Sequence, residues 1–209
     1  MTKQPLHRSD PMIVLASASP RRRALLAQIG VRYRTVAVNV EERRSLEEAP
    51  QDYVARVAAD KSRAGLDVCG DGLPVLGADT EVVLDDEVFG KPADFEHART
   101  MLRRLSGRSH RVLSAVSLRH AQRHWLALSE SNVAFRDLTD GEIEAYWASG
   151  EPVDKAGAYA IQGRGSLFIR RLEGSFSGVM GLPLFETAAL LAEVGIASCV
   201  LLGAELYSP

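Results

Sequence analysis

A chain of 209 residues, 46% of them hydrophobic and 25% charged, has the apolar content for one sizeable core or two small lobes sharing one, and is not disordered as a whole. The 25 Lys and Arg residues against 27 Asp and Glu residues give a formal net charge of -2. This excludes the broad basic excess of a general nucleic-acid or anionic-membrane binder, so an anionic ligand has to be held by a local cluster.

Residues 1–10, MTKQPLHRSD, read as a flexible polar tail without the apolar stretch of a secretory signal. Residues 11–209 read as the folded part, with one core or two small lobes sharing one, and no low-complexity linker. The segment 12–16, MIVLA, is expected to be a buried strand. Ser19 then serves as N-cap and Pro20 as first residue of a helix that turns Ala24, Leu25 and Ile29 inward and ends at Gly30. Arg32 to Val38 alternates in the manner of a half-exposed strand. A helix beginning near Pro50 carries Tyr53, Val54, Val57, Ala58 and Ala64 as its apolar stripe. A strand over 74–78 delivers Asp79 and Thr80 at its end, resumes at 82–84 and turns at Asp85-Asp86 back to Val88-Phe89. Asp94 caps a helix with Phe95, Ala98, Leu102 and Leu105 inward, closed by Gly107.

Two alternating runs, 111–118 and 125–135, predict a long hairpin. Thr139 and Glu142 form a capping box for a short helix with Ile143, Tyr146 and Trp147, stopped at 149–152. A glycine-rich loop leads to strands expected around 167–172 and 175–180, and Pro183 and Gly195 bracket a last helix. Strands and helices do not alternate strictly, which favours a mixed α+β fold over a doubly wound one. No apolar run approaches the roughly 18 residues of a membrane span. Cys69 and Cys199 lie far apart and form no CxxC, as expected of thiols in a reducing cytoplasm.

Four features could carry chemistry. Ser17-Ala-Ser-Pro-Arg-Arg-Arg23 combines a helix start, two hydroxyls and arginine forks, the parts of a phosphate clamp; it also reads as an ordinary capped helix with solvated arginines. Asp79 is a carboxylate delivered by a buried strand, suited to a divalent metal or to deprotonating water, and equally to a turn. Glu41 and Glu42 offer further carboxylates, or solvated surface. Only Lys3, Lys61, Lys91 and Lys155 among the 25 basic residues are lysines, and three of them sit beside turn or motif residues. Gln162 lies among small residues in 157–165, where its amide could read a base edge or the segment could be a tight turn. GxxxxGK[ST], GxGxxG and GxSxG are absent, and His120 and His124 lack the HExxH context of a zinc site.

LASASPRR at 15–22, LGADT at 76–80, GKP at 90–92, MLRRLSGRSH at 101–110, SGEPVDKAGAYAIQGRG at 149–165 and GLPL at 181–184 together resemble the Maf-type nucleotide pyrophosphatases over residues 13–192. The resemblance implies an elongated mixed sheet flanked by helices, in two lobes around a central cleft, similar to the inosine-triphosphate pyrophosphatase fold. It implies hydrolysis of nucleoside triphosphates to monophosphate and pyrophosphate with a divalent cation, Mg²⁺ or Mn²⁺, and is consistent with a homodimer and with no nucleic-acid or membrane partner. By resemblance Asp79 is the proton acceptor, and Asp79 with Glu41 would hold the metal. Ser17, Arg21, Arg22, Lys61 and Lys91 face the phosphates, while Arg21, Thr80 and Gln162 match selectivity positions of the dTTP/UTP branch. Glu81, in place of the apolar residue usual after GADT, and Ala160, in place of a frequent glycine, depart from the family pattern. A house-cleaning pyrophosphatase for modified nucleotides or 7-methyl-GTP stays open, as does a non-catalytic inhibitor of septum formation.

Overall fold

Ile13, Val14 and Leu15 are fully buried, as a strand flanked by parallel neighbours and covered on both faces requires. In the computed structural model, which describes residues 10–196 apart from 46 and 71, they form β1 (Ile13–Leu15). The tail up to residue 9 and Cys199 lie outside the described residues. Ser19 caps α1 (Pro20–Gln28), with Pro20 in its first turn and Gly30 just beyond its end at φ 70°. Leu25 and Leu26 are the buried residues of this helix, and Ala24, expected inward, is exposed. The strand expected over 32–38 is three residues long, β2 (Tyr33–Thr35), because only these pair with β1.

The sheet has seven strands in the order β2-β1-β3-β5-β6-β7, with β4 (Glu87–Phe89) paired to β3 (Val75–Leu84). It is mixed: β1 is parallel to β2 and β3, and the hairpin β5 (Ser109–His120) and β6 (Arg123–Phe135) and the strand β7 (Ile169–Glu173) are antiparallel to their neighbours. β3 runs straight through Asp79 and Thr80, which lie mid-strand rather than at a strand end. β5 pairs with it from Val75 to Val83 and fixes that geometry. On its other edge β3 meets β1 only at Val75 and Leu76 and β4 only at Val82–Leu84. Residues 77–81 therefore face an opening between two strands.

α2 (Pro50–Cys69) covers one face of the sheet, with Val54 and Ala58 packed on Val83, Leu113 and Ala115. Gly77 permits this close approach: a Cβ there would lie 2.5 Å from both Ala58 O and Ser62 N. On the opposite face the apolar residues of β3 and β5 divide into two clusters. One joins Leu76, Ala78, Val116 and Leu118 to α1 and α6 (Leu184–Ala192); the other joins Val82, Leu84 and Val112 to α3 (Phe95–Leu105) and α4 (Asp140–Ala148). Thr80 and Ser114, paired across the two strands, form a polar row between them. The capping box at Thr139 and Glu142 is formed, and Trp125 and Trp147 pack against these clusters.

The strand expected over 175–180 is instead a short helix, α5 (Phe176–Met180). Ser175 accepts a hydrogen bond from Gly178 N and nucleates one turn where five residues are too few to display helical periodicity. The strand expected over 167–172 begins only at Ile169, after a 3-10 turn at Arg164–Phe168.

Candidate active site

The opening beside residues 77–81 is the floor of a cleft of about 860 Å³. Alternation along β3 puts Asp79 and Glu81 on the face covered by α2, and Thr80 on the other. Because α2 is seated closely over Gly77, Lys61 reaches Asp79: its Nζ donates to Asp79 Oδ1 at 2.8 Å and pairs with Glu42 Oε1 at 2.7 Å. Asp79 is 5% exposed, and its Oδ2 is buried without a hydrogen-bond partner, as is Glu81 Oε2. Burial, with the negative charges of Asp79 and Glu42, pushes the Glu81 carboxyl up to about 8. Burial also works to raise Glu42, but the bond from Lys61 and the charges of Lys61, Lys91 and Arg22 outweigh it and hold that carboxyl below its ordinary value.

The other side of the cleft is built where β1 passes into α1. Ser17 Oγ accepts from Ser19 N at 3.2 Å and from Arg22 NH1 at 3.3 Å. Arg22 Nε donates to Gly181 O at 2.7 Å and its NH2 to Thr80 Oγ1 at 3.5 Å, while Arg21 Nε donates to Met180 O at 3.3 Å. Burial lowers both arginines, yet a guanidinium starts so high that both remain charged. Ser114 Oγ gives its proton to Gly178 O at 2.6 Å, so the 2.9 Å contact with Thr80 is a bond that Thr80 donates. The Thr80 hydroxyl thus has its proton committed and one lone pair turned to Arg22, so it can meet a ligand only as an acceptor.

The third wall is the irregular segment 149–165. Glu151 holds it together: Oε1 accepts from Tyr146 Oη at 2.7 Å and Gly165 N at 3.0 Å, and Oε2 accepts from Arg164 N at 2.8 Å. Tyr146 Oη in turn accepts from Ala160 N at 3.0 Å. Burial works to raise the Glu151 carboxyl, and these hydrogen bonds outweigh it and lower it. Gly157, at φ 66°, packs against Val82 so closely that a Cβ would lie 2.9 Å from it. The result is a fixed loop that presents exposed Gln162 and half-buried Lys155 to the cleft.

Ser17, Arg21, Arg22, Lys61, Asp79, Thr80, Lys91 and Gln162 all line this one cleft. Glu41 does not: it is exposed, and its neighbour Glu42 lines the cleft instead. Lys61 pairs with Glu42 Oε1. Tyr53, expected as a core residue, also lines the cleft, as do Glu81 and Glu151.

The carboxylate oxygens around Lys61 are hard donors of the kind Mg²⁺ and Mn²⁺ take, and two of them are buried without partners. Among the described residues no three His, Cys, Asp or Glu side chains converge to hold a metal ion by themselves. An ion held by one or two carboxylates, with water and phosphate oxygens completing its shell, suits this arrangement. Among the described residues no helix is long and apolar enough to cross a membrane.

The profile of the family described as "Maf-like protein" matches residues 12–194 of this chain. A protein of Methylococcus capsulatus described as dTTP/UTP pyrophosphatase is 61% identical over 193 residues, covering 92% of this chain and 96% of that protein. One of the same description from Escherichia coli strain 536 is 52% identical over 180 residues, covering 86% of this chain and 91% of the relative. Among solved structures, a nucleoside-triphosphatase / dITP/XTP pyrophosphatase from Mycobacterium abscessus aligns at 17% identity with a TM-score of 0.40, over 59% of this chain and 73% of that one, a likeness too distant to bear on the fold.

Proposed function

The chain belongs to the Maf-like protein family, and from that premise we propose that it hydrolyses dTTP and UTP to the nucleoside monophosphate and pyrophosphate in the cleft beside β3. The observation that carries this reading is the layout of the cleft: arginines at the start of α1 along one wall, a buried carboxylate pair beside Lys61 on the floor, and an exposed amide with Lys155 on the third wall. A triphosphate with one uncharged base needs these same three surfaces.

Arg21 and Arg22 at the start of α1, with Lys61, Lys91 and Lys155, surround the phosphates and offset the charge that builds on the leaving pyrophosphate. Arg22 is fixed by Ser17, Gly181 and Thr80, so its fork is oriented before substrate arrives. Asp79 is the general base: Lys61 holds its Oδ1, and its unpartnered Oδ2 takes a proton from the attacking water. The water oxygen bonds to the α-phosphorus, the bond from that phosphorus to the oxygen bridging toward the β-phosphorus breaks, and the electron pair leaves on pyrophosphate. A divalent cation, Mg²⁺ or Mn²⁺, held among the carboxylates of this floor, would neutralise phosphate charge when bound.

Gln162 supplies base selectivity. Its amide is both donor and acceptor, which matches the N3–H and carbonyl oxygens shared by thymine and uracil; cytosine lacks that N3–H. The reaction belongs to the cytoplasm, where its substrates are. A panel of dTTP, UTP, dCTP, a modified pyrimidine triphosphate and 7-methyl-GTP, with products identified, tests the reading. Pyrophosphate and monophosphate from dTTP and UTP are expected in preference to the rest. Orthophosphate release, or a preference for 7-methyl-GTP, contradicts it.

A further inference from the structure

Asp79 carries two duties in the reading above but has one oxygen left for them, since Lys61 holds Oδ1 at 2.8 Å and only Oδ2 is without a partner. An oxygen committed to a cation is a poor base for the attacking water. Two residues further along β3, on the same face, stands a second buried carboxylate. Glu81 is 9% exposed, lines the cleft, and keeps its Oε2 buried with no hydrogen-bond partner. It lies opposite Leu113 in the register.

Leaving a carboxylate oxygen buried and unpaired is costly, and the cost is met by a proton or, when one is bound, by a cation. The pairing of the neighbours points the same way. Lys61 is taken up by Glu42 and Asp79, while the unpartnered oxygen of Glu81 lies in the same cleft. An oxygen donor of this kind selects a hard cation.

We propose that Glu81 is the protein ligand that holds the divalent cation of this site, which frees Asp79 Oδ2 to act on water. The neighbouring oxygens then divide the labour: Lys61 fixes Asp79, Asp79 handles the proton, and Glu81 anchors the ion against the phosphates. The inference rests on the triphosphate reading of the cleft, and it concerns a position where the chain departs from the apolar residue that the GADT motif usually precedes.

The test is binding of Mn²⁺ to the full chain, followed by electron paramagnetic resonance with and without a non-hydrolysable α,β-imido analogue of dUTP, for wild type, Glu81→Gln and Asp79→Asn. Glu81→Gln should weaken Mn²⁺ binding at least about tenfold, and Asp79→Asn should leave it within about threefold. Melting temperature gives a second readout: Mn²⁺ should raise that of wild type and Asp79→Asn but not that of Glu81→Gln. Glu81→Val, suited to a buried strand, repeats the comparison if the amide does not fold. Unaltered Mn²⁺ affinity in Glu81→Gln, or no Mn²⁺ uptake by wild type in the presence of the analogue, overturns the assignment. Failure of the triphosphate reading shows itself separately, as wild-type protein that neither binds the analogue nor releases pyrophosphate from dTTP or UTP.

Discussion

The two apolar clusters that share one face of the sheet are built from different residues. The cluster under α1 and α6 is aliphatic in its buried core: Ile13, Leu15, Leu25, Leu26, Leu76, Leu118 and Leu191. The cluster under α3 and α4 is aromatic, with Phe89, Phe135, Tyr146, Tyr159 and Phe168 buried and several rings meeting edge to face, such as Tyr146 and Phe168 at 4.9 Å and 84°. Between them runs the row of Thr80 and Ser114. The aliphatic side supports the arginines at the start of α1, whose backbone is set by a strand end and a helix cap and whose guanidinium groups are held by Met180 O and Gly181 O. The aromatic side supports an irregular loop, and irregular backbone needs polar handles inside the core. Tyr146 and Tyr159 supply them, bonded to Ala160 N, Glu151 and His110. One side therefore supports the phosphate-facing arginines and the other the base-reading loop, with Asp79 on the floor between them.

Substitutions on the floor and on the reading loop should separate in kinetics. Asp79→Asn, on the floor, should lower kcat about a thousandfold while nucleotide affinity changes little, measured by steady-state pyrophosphate release and by calorimetry. Gln162→Ala should instead cut the preference for dTTP over dCTP about tenfold to a hundredfold, read as the ratio of kcat/KM values. If the two substitutions affected the same parameter, the division between the floor and the reading loop would fail.

Glu151→Ala removes the acceptor of Tyr146 Oη and of two backbone N–H groups, and should cost about 2 kcal/mol of stability in denaturant unfolding. It should raise KM for both pyrimidine nucleotides more than it lowers kcat, because the loop that carries Gln162 loosens. The smallest effect at neutral pH belongs to His110, buried between Phe135 and Tyr159 and pushed down by burial from the usual 6.5 to about 4. Between those pH values the unfolded chain binds a proton that the folded one refuses, so stability is lost as pH falls from 6.5 toward 4. The loss should reach about 3 kcal/mol. In His110→Phe that acid dependence should vanish from the pH profile of unfolding, at the cost of the 2.8 Å bond to Tyr159.

The division also explains what could be read from sequence. The aliphatic side is written locally: Ser19, Pro20 and Gly30 mark α1 before any tertiary contact exists. The polar interruption at Thr80 and Ser114 in two otherwise apolar alternations is itself a signal that the face is split there. The reading side depends on long-range partners. Glu151 gains its role only when 164 and 165 fold back onto it, and α5 exists because one serine caps one turn. Glu42 displaces Glu41 for a similar reason: which of two adjacent carboxylates meets Lys61 is set by how the chain crosses α2, and no spacing rule records that.

The central claim is that water held by Asp79 attacks the α-phosphorus. Hydrolysis of dTTP in water enriched in heavy oxygen, with both products examined by mass spectrometry, tests it most directly. The account predicts the heavy atom in the phosphate of dTMP and none in pyrophosphate; label in pyrophosphate, or in released orthophosphate, would contradict it.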